Sequence, residues 1–203
     1  MRRKHFETDH TPLVHRLFVA LRPPPPIREQ LLDITDGVVA ARWQDEEQLH
    51  ITCRFIGAVE RPVAEEIAAA LAQVVAPAPV VQLAGVGRFS KRSGDALWAA
   101  LAPHDALARL HRKVDQACVR AGLEPERRAY LPHITLARLP RSAAHDPAVE
   151  RWVAEHAALA SAPFTLTHLV LYESHLGRGG ARYEAVARWP LDPAAHAAAD
   201  ERE

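Results

Sequence analysis

Cysteine is scarce: Cys53 and Cys118 are the only two in 203 residues, too few for the disulfide framework of a small secreted domain. Two reduced thiols in a cytoplasmic protein is the simplest reading. Net charge is lacking as well. Twenty-five basic side chains balance 25 acidic ones, so no overall field draws the chain onto a long nucleic acid. A local basic patch would still serve a small anion or the end of an RNA. There is no long uninterrupted apolar run. The most apolar stretch, 67–86, is broken by Gln73, Pro77, Pro79 and Gln82, which excludes a membrane span there. The opening Met1-Arg2-Arg3-Lys4 runs on through His5, Glu7, Asp9 and His10, without the apolar segment of a signal peptide.

With 48% hydrophobic residues, the chain can bury a core as one large domain or two small lobes. Polar composition marks 1–12 and 192–203 as flexible ends around a single unit, 13–191. A first strand is expected over 13–21, stopped by the run Pro23 to Pro26, and a helix from Ile27. A strand over 49–56 should end at Gly57, with a helix over 62–75 behind it. Strands over 80–86 and 96–101 flank a basic loop, 88–94. A helix over 105–121 closes on Gly122 as its C-cap. A strand over 132–139, a helix over 147–159 and strands over 164–172 and 182–188 complete the chain, with a Gly-rich loop at 173–180.

The tripeptide His-Ile-Thr occurs twice, at His50-Ile51-Thr52 and His133-Ile134-Thr135, 83 residues apart. In a strand, alternation puts the His and Thr on one face and the Ile on the other, where a core would take it. By the same alternation Arg54 joins His50 and Thr52, while Phe55 and Cys53 point to the core; Arg138 falls on the wrong face unless the strand bends. One offset of 83 also aligns the following helix and two strands, so the chain reads as an internal pseudo-duplication. Each half then supplies one motif to a shared cleft. An imidazole with a pKa near ~6.5 can serve as base or acid at neutral pH, and two hydroxyls can hold an anion. That set suits in-line attack on a phosphodiester without a metal, since neither motif has a Cys, Asp or second His at ligand spacing. His5, His10 and His15 recur every five residues, matching neither helix nor strand, and are read as decorating a loose N-terminus.

The residues RLFVAL at 16–21, LHITCRFIGAV around His50, Leu97-Trp98, PHITLAR at 132–138 and LYESHLGRGGARYEAVARWPL at 171–191 resemble the two-histidine (2H) phosphoesterases. Within these the chain is most similar to the RNA 2′,3′-cyclic phosphodiesterases, also called 2′-5′ RNA ligases. The resemblance implies an α+β, bilobal fold with antiparallel-rich sheets, two pseudo-symmetric lobes and a central cleft. It implies opening of a 2′,3′-cyclic phosphate to a 2′-phosphomonoester, without cofactor or metal, and ligation in reverse. His50 and His133 map onto the catalytic pair, with His133 as base and His50 as acid. Thr52 and Thr135 map onto the phosphate-binding hydroxyls, and Arg138 onto the arginine that follows the second motif. Cys53 departs from the usual Leu. Phe89 is a candidate for stacking on a base, and Arg88, Lys91 and Arg92 for meeting an RNA backbone. Phe18, Trp98, Trp152 and Trp189 are read as packing residues. The expected partners are RNA ends or small cyclic nucleotides, handled by a monomer. A nucleotide-binding module without turnover is the alternative, and a scaffold with incidental histidines a more distant one.

Overall fold

A computed structural model describes residues 14–91, 94–143, 145–177 and 180–192. The expected flexible ends lie outside this set apart from Asp192, as do His5, His10 and Arg92. The elements run β1 (Val14–Leu21), α1 (Pro25–Leu32), β2 (Arg42–Trp43), a 3-10 turn (Glu46–Gln48), β3 (Ile51–Glu60), α2 (Arg61–Leu71), β4 (Val80–Lys91) and β5 (Gly94–Ala102). They continue with α3 (Asp105–Arg120), β6 (His133–Leu139), a second 3-10 turn (Arg141–Ala143), α4 (Pro147–Glu155), β7 (Phe164–Thr165), β8 (His168–Gly177) and β9 (Gly180–Pro190). Among the described residues no helix is long and apolar enough to cross a membrane.

The strands are ordered β7-β4-β5-β6-β3-β1-β8-β9, all antiparallel pairs, with β2 beside β6. Read outward from the middle, β6-β5-β4 on one side answers β3-β1-β8 on the other. The offset of 83 residues carries β1 onto β5, β3 onto β6, α2 onto α4 and β4 onto β8. The match of the Trp98 strand with the one at Ala181 does not fit, because β5 already answers β1 and β9 lies outside the matched strands. The pseudo-two-fold relation expected from the sequence therefore passes between β3 and β6. There the strands share the pair Ile51–Ile134, after which β2 takes over the free edge of β6 through Arg42–Arg138 and Trp43–Ala137.

Helices cover one face. On α3, Leu107, Leu110, Val114, Ala117 and Cys118 are buried, the stripe that helical spacing demands; α2 adds Ala64, Ile67 and Leu71. They pack with Leu17, Val19, Leu21, Ile51 and Ile134 in one large core. The other face of β1 carries Phe18 and Ala20 into a small cluster with Val170 and Tyr172. Trp152 is core, as expected. The C-cap of α3 is Ala121, and Gly122, expected there, follows it at φ +89 and turns the chain out of the helix.

Several boundaries differ from the sequence reading. Helix α1 begins inside the proline run, because Pro25 and Pro26 fill first-turn positions whose N–H groups need no partner. Strand β3 passes through Gly57, which takes φ +88 at an irregular point of the β1–β3 ladder. Both expected loops, 88–94 and 173–180, are largely strand: the two hairpins pair out to Lys91–Gly94 and Gly177–Gly180. His15 is no tail decoration. It lies in β1, 1% exposed, with Nδ1 3.0 Å from a Glu173 carboxylate oxygen.

Candidate active site

Each motif sits at the start of its strand. The buried pair Ile51–Ile134 sets the register; extended one step each way, it puts His50 across from Thr135 and Thr52 across from His133. All four side chains line one cleft of about 550 Å³.

The two imidazoles are held alike. His50 donates from Nδ1 to the Gln48 carbonyl at 2.6 Å, and His133 from Nδ1 to the Leu131 carbonyl at 2.7 Å. A carbonyl only accepts, so each neutral ring carries its proton on Nδ1 and keeps Nε2 as the proton acceptor. His50 packs against Phe18, with ring centroids 5.0 Å apart, and meets Tyr183 edge-on at 5.2 Å. Burial there pulls its pKa down to about 4; the Gln48 carbonyl opposes the shift, and the charges of His133 and Arg138 add to it. His133 meets Phe89 edge-on at 4.9 Å, and Phe89 stacks on Trp98 at 4.7 Å. Trp98 is half-buried and backs Phe89, outside the main core cluster. Its indole lies across Gly87, its cross-strand partner, where any Cβ would collide with the ring.

The carbonyls that orient the two histidines are themselves anchored. Asp45 and Gln48 form a reciprocal capping box, and the Gln48 amide also donates to the Ala181 carbonyl at 2.7 Å. On the other side, Arg54 reaches Asp115 at 3.2 Å, Glu126 at 3.2 Å and the Glu124 carbonyl. This ties the segment before Leu131 to β3 and α3. Sequence reading missed Gln48, although the spacing Asp45-x-x-Gln48 is a recognisable cap signal.

Two β-bulges correct the expected faces. Thr135 pairs with Trp98, but Ala137 pairs with Leu97, leaving Leu136 as an extra residue in β6. An extra residue resets the alternation, so Arg138 returns to the cleft side with His133 and Thr135. Ala20 pairs with Thr52 and Val19 with Arg54, so Cys53 is the equivalent extra residue in β3. Phe55, placed in the core by simple alternation, is instead 56% exposed and lines the cleft, while Arg54 turns inward to 8% exposure. Phe55 and Arg138 hold equivalent places in the two halves.

The structure thus brings His50, His133, Thr52, Thr135, Arg138 and Phe89 into one cleft. The basic loop fares differently: Arg88 donates to Asp95 at 2.6 Å. The side chain of Lys91 and all of Arg92 lie outside the described residues. Cys53 and Cys118 are buried free thiols, which burial pushes up to about 12 and about 11. Among the described residues no group of three His, Cys, Asp or Glu side chains is gathered as a metal site.

Two His-x-Thr strands related by a pseudo-two-fold, their imidazoles oriented alike across one cleft, define a two-histidine phosphoesterase. The sequence profile of the 2′-5′ RNA ligase superfamily matches residues 23–178. The chain belongs to that family. An RNA 2′,3′-cyclic phosphodiesterase of Geobacillus stearothermophilus is 32% identical over 163 residues, 78% of this chain and 50% of that one; the chain therefore spans about half the length of that relative. One from Aeropyrum pernix is 30% identical over 150 residues, covering 73% of this chain and 85% of its own length. The crystal structure of E. coli LigT in apo form superposes with a TM-score of 0.71 at 24% identity, covering 89% of this chain and 99% of that one. It shares the fold.

Proposed function

We propose that the chain hydrolyses a terminal 2′,3′-cyclic phosphate on RNA to a 2′-phosphomonoester by general acid–base catalysis. The observation that carries this is the matched pair of imidazoles, each with Nδ1 bound to a carbonyl two residues back. The curated relatives bear the name of that reaction. In the proposed reaction, one Nε2 takes a proton from water as the water oxygen bonds to phosphorus in line with the 3′ oxygen. The P–O3′ bond breaks, and the second imidazole protonates the departing oxygen. Thr52 and Thr135 donate to the non-bridging oxygens, and Arg138 offsets the charge that gathers there. With a 5′ hydroxyl in place of water as the nucleophile, the same steps form a P–O5′ bond as P–O3′ breaks and give a 2′-5′ linkage; run backwards, they cleave that linkage to the cyclic phosphate.

The division of labour departs from the one the resemblance implies. His50, held to about 4 by burial, is uncharged at neutral pH and suits the base; His133 is then the acid. A Phe89 face stacks with the base of the substrate. Two buried free thiols support a cytoplasmic location, and one chain supplies both halves of the cleft, as a monomer requires.

The test is hydrolysis of an oligoribonucleotide ending in a 2′,3′-cyclic phosphate, in EDTA, by wild type, His50→Ala and His133→Ala. Turnover to the 2′-phosphate, lost by at least about a hundredfold in both variants, is the expected result. A folded wild type that binds nucleotides but turns none over would leave a binding module.

A further inference from the structure

The two bulges that set the cleft lining each take a residue out of its ladder, and the two halves satisfy the carbonyl of that residue differently. At Leu136 it accepts from the Gln44 N–H at 2.8 Å, because β2 runs along that edge of β6. Among the described residues no strand lies along β3 beyond Ile51 on the side away from β1. The offset of 83 would put Pro125, Glu126 and Arg127 there, in the places of Arg42, Trp43 and Gln44. Pro125 cannot donate to a ladder, and the three form no strand.

Helix α3 takes the place of that strand. His111 falls between Leu107 and Val114 on the stripe that faces the sheet. Its Nδ1 is 2.7 Å from the Cys53 carbonyl oxygen; a carbonyl only accepts, so the imidazole donates. One turn further on, Asp115 accepts from the Glu126 N–H at 3.1 Å and pairs with Arg54. The His111 ring also stacks on Tyr130, with centroids 4.2 Å apart and planes 1° from parallel. Cys53 follows Thr52, and Tyr130 precedes Leu131, whose carbonyl orients His133. One side chain therefore touches both arms of the site. His111 does not line the cleft itself; it borders an adjoining apolar compartment of about 400 Å³, which meets the cleft at Thr52 and His133.

We propose that His111 is a positioning residue for the reaction. By donating to Cys53 it holds the bulge of β3, and so keeps Thr52 and Phe55 turned into the cleft towards His133. This rests on the phosphodiesterase reading. A buried carbonyl deprived of its donor is costly, and the strand relieves that cost by moving the residues on either side, Thr52 among them. Small displacements of such a group slow the reaction.

His111→Asn and His111→Leu test it, since the two are alike in shape and only Asn keeps a donor near the Nδ1 position. Leu107→Ala empties a buried position on the same face of α3 and serves as control. Hydrolysis of a 2′,3′-cyclic end is measured beside urea melts, and calorimetry reads the binding of 2′-AMP and ribose 2-phosphate. His111→Leu should lose kcat by about tenfold or more and bind both ligands more weakly, while His111→Asn stays close to wild type. Leu107→Ala should lose stability without that loss of kcat. If the leucine variant does not fold, His111→Phe, which keeps a ring against Tyr130 and lacks the donor, takes its place. Equal kcat in the two His111 variants overturns the inference, as does a loss in Leu107→Ala as large as in His111→Leu. Weakening confined to 2′-AMP overturns it too, by marking a direct contact with the base. A wild type that binds both ligands and hydrolyses nothing overturns the phosphodiesterase reading instead, and the affinities of the same variants then decide the role of His111.

Discussion

Ile51 faces Ile134 across the centre of the sheet, so the middle residues of the two His-Ile-Thr motifs are each other's partners. One buried apolar pair thereby sets which His lies across from which Thr. Truncating either to Ala should cost ~2–5 kcal/mol, as for buried Ile generally. It should also lower turnover more than Leu107→Ala, which empties an equally buried position on α3. Urea melts and kinetics on the three variants check this; equal loss of turnover in all three would leave stability as the only effect.

Acid should destabilise the protein through His50. Its folded pKa, about 4, lies below the ordinary imidazole value of 6.5, so between those values the unfolded chain binds the extra proton and stability rises with pH. The contribution is complete above 6.5 and lost as pH falls towards 4, with ~3 kcal/mol as its ceiling at 1.36 kcal/mol per unit. His168 is lowered too and acts in the same direction, while Glu126, held to about 2, loses its contribution only below the ordinary carboxylate range. Comparing urea midpoints of wild type and His50→Asn from pH 7 to 4 isolates His50. The variant should show the shallower fall.

Gly87→Ala drives a methyl into the Trp98 indole, which is stacked on Phe89 beside His133. Overpacking of this kind costs ~1–3 kcal/mol. Turnover should fall about tenfold or more while the fold persists, because small displacements at a reacting group are costly. Unchanged kcat in a folded Gly87→Ala would remove Phe89 and Trp98 from the positioning of His133.

Arg54→Met leaves Asp115 and Glu126 facing each other without the buried cation between them. Removing one partner of such a cluster costs ~3–5 kcal/mol. The added changes Asp115→Asn and Glu126→Gln should recover much of that loss. Thermal melts of the single and triple variants decide it, and a triple variant no more stable than the single one would assign the loss to packing of the Arg54 side chain.

Local pattern made much of this protein legible. The repeated tripeptide, the offset of 83 residues and the stripe on α3 each follow from a fixed periodicity, and a periodicity is a property of consecutive residues. His50, Thr52, His133 and Thr135 were placed on one face by alternation alone, and the cleft gathers them. Alternation failed three residues further on in both strands. Phe55 and Arg138 belong to the cleft, and Arg54 to the interior, because Cys53 and Leu136 are extra residues opposite β1 and β5.

A bulge is a relation between two strands distant in sequence, so nothing in β3 or β6 alone announces it. The same holds for Arg42, whose place beside Arg138 and Gly180 joins three segments. It holds also for the pKa of His50, which depends on rings and charges that only folding brings near. The sequence by itself determined the doubled motif, its chemistry and the symmetry of the halves. Tertiary pairing decided which neighbours turn into the cleft, since those contacts depend on register between strands and not on the order of residues within one.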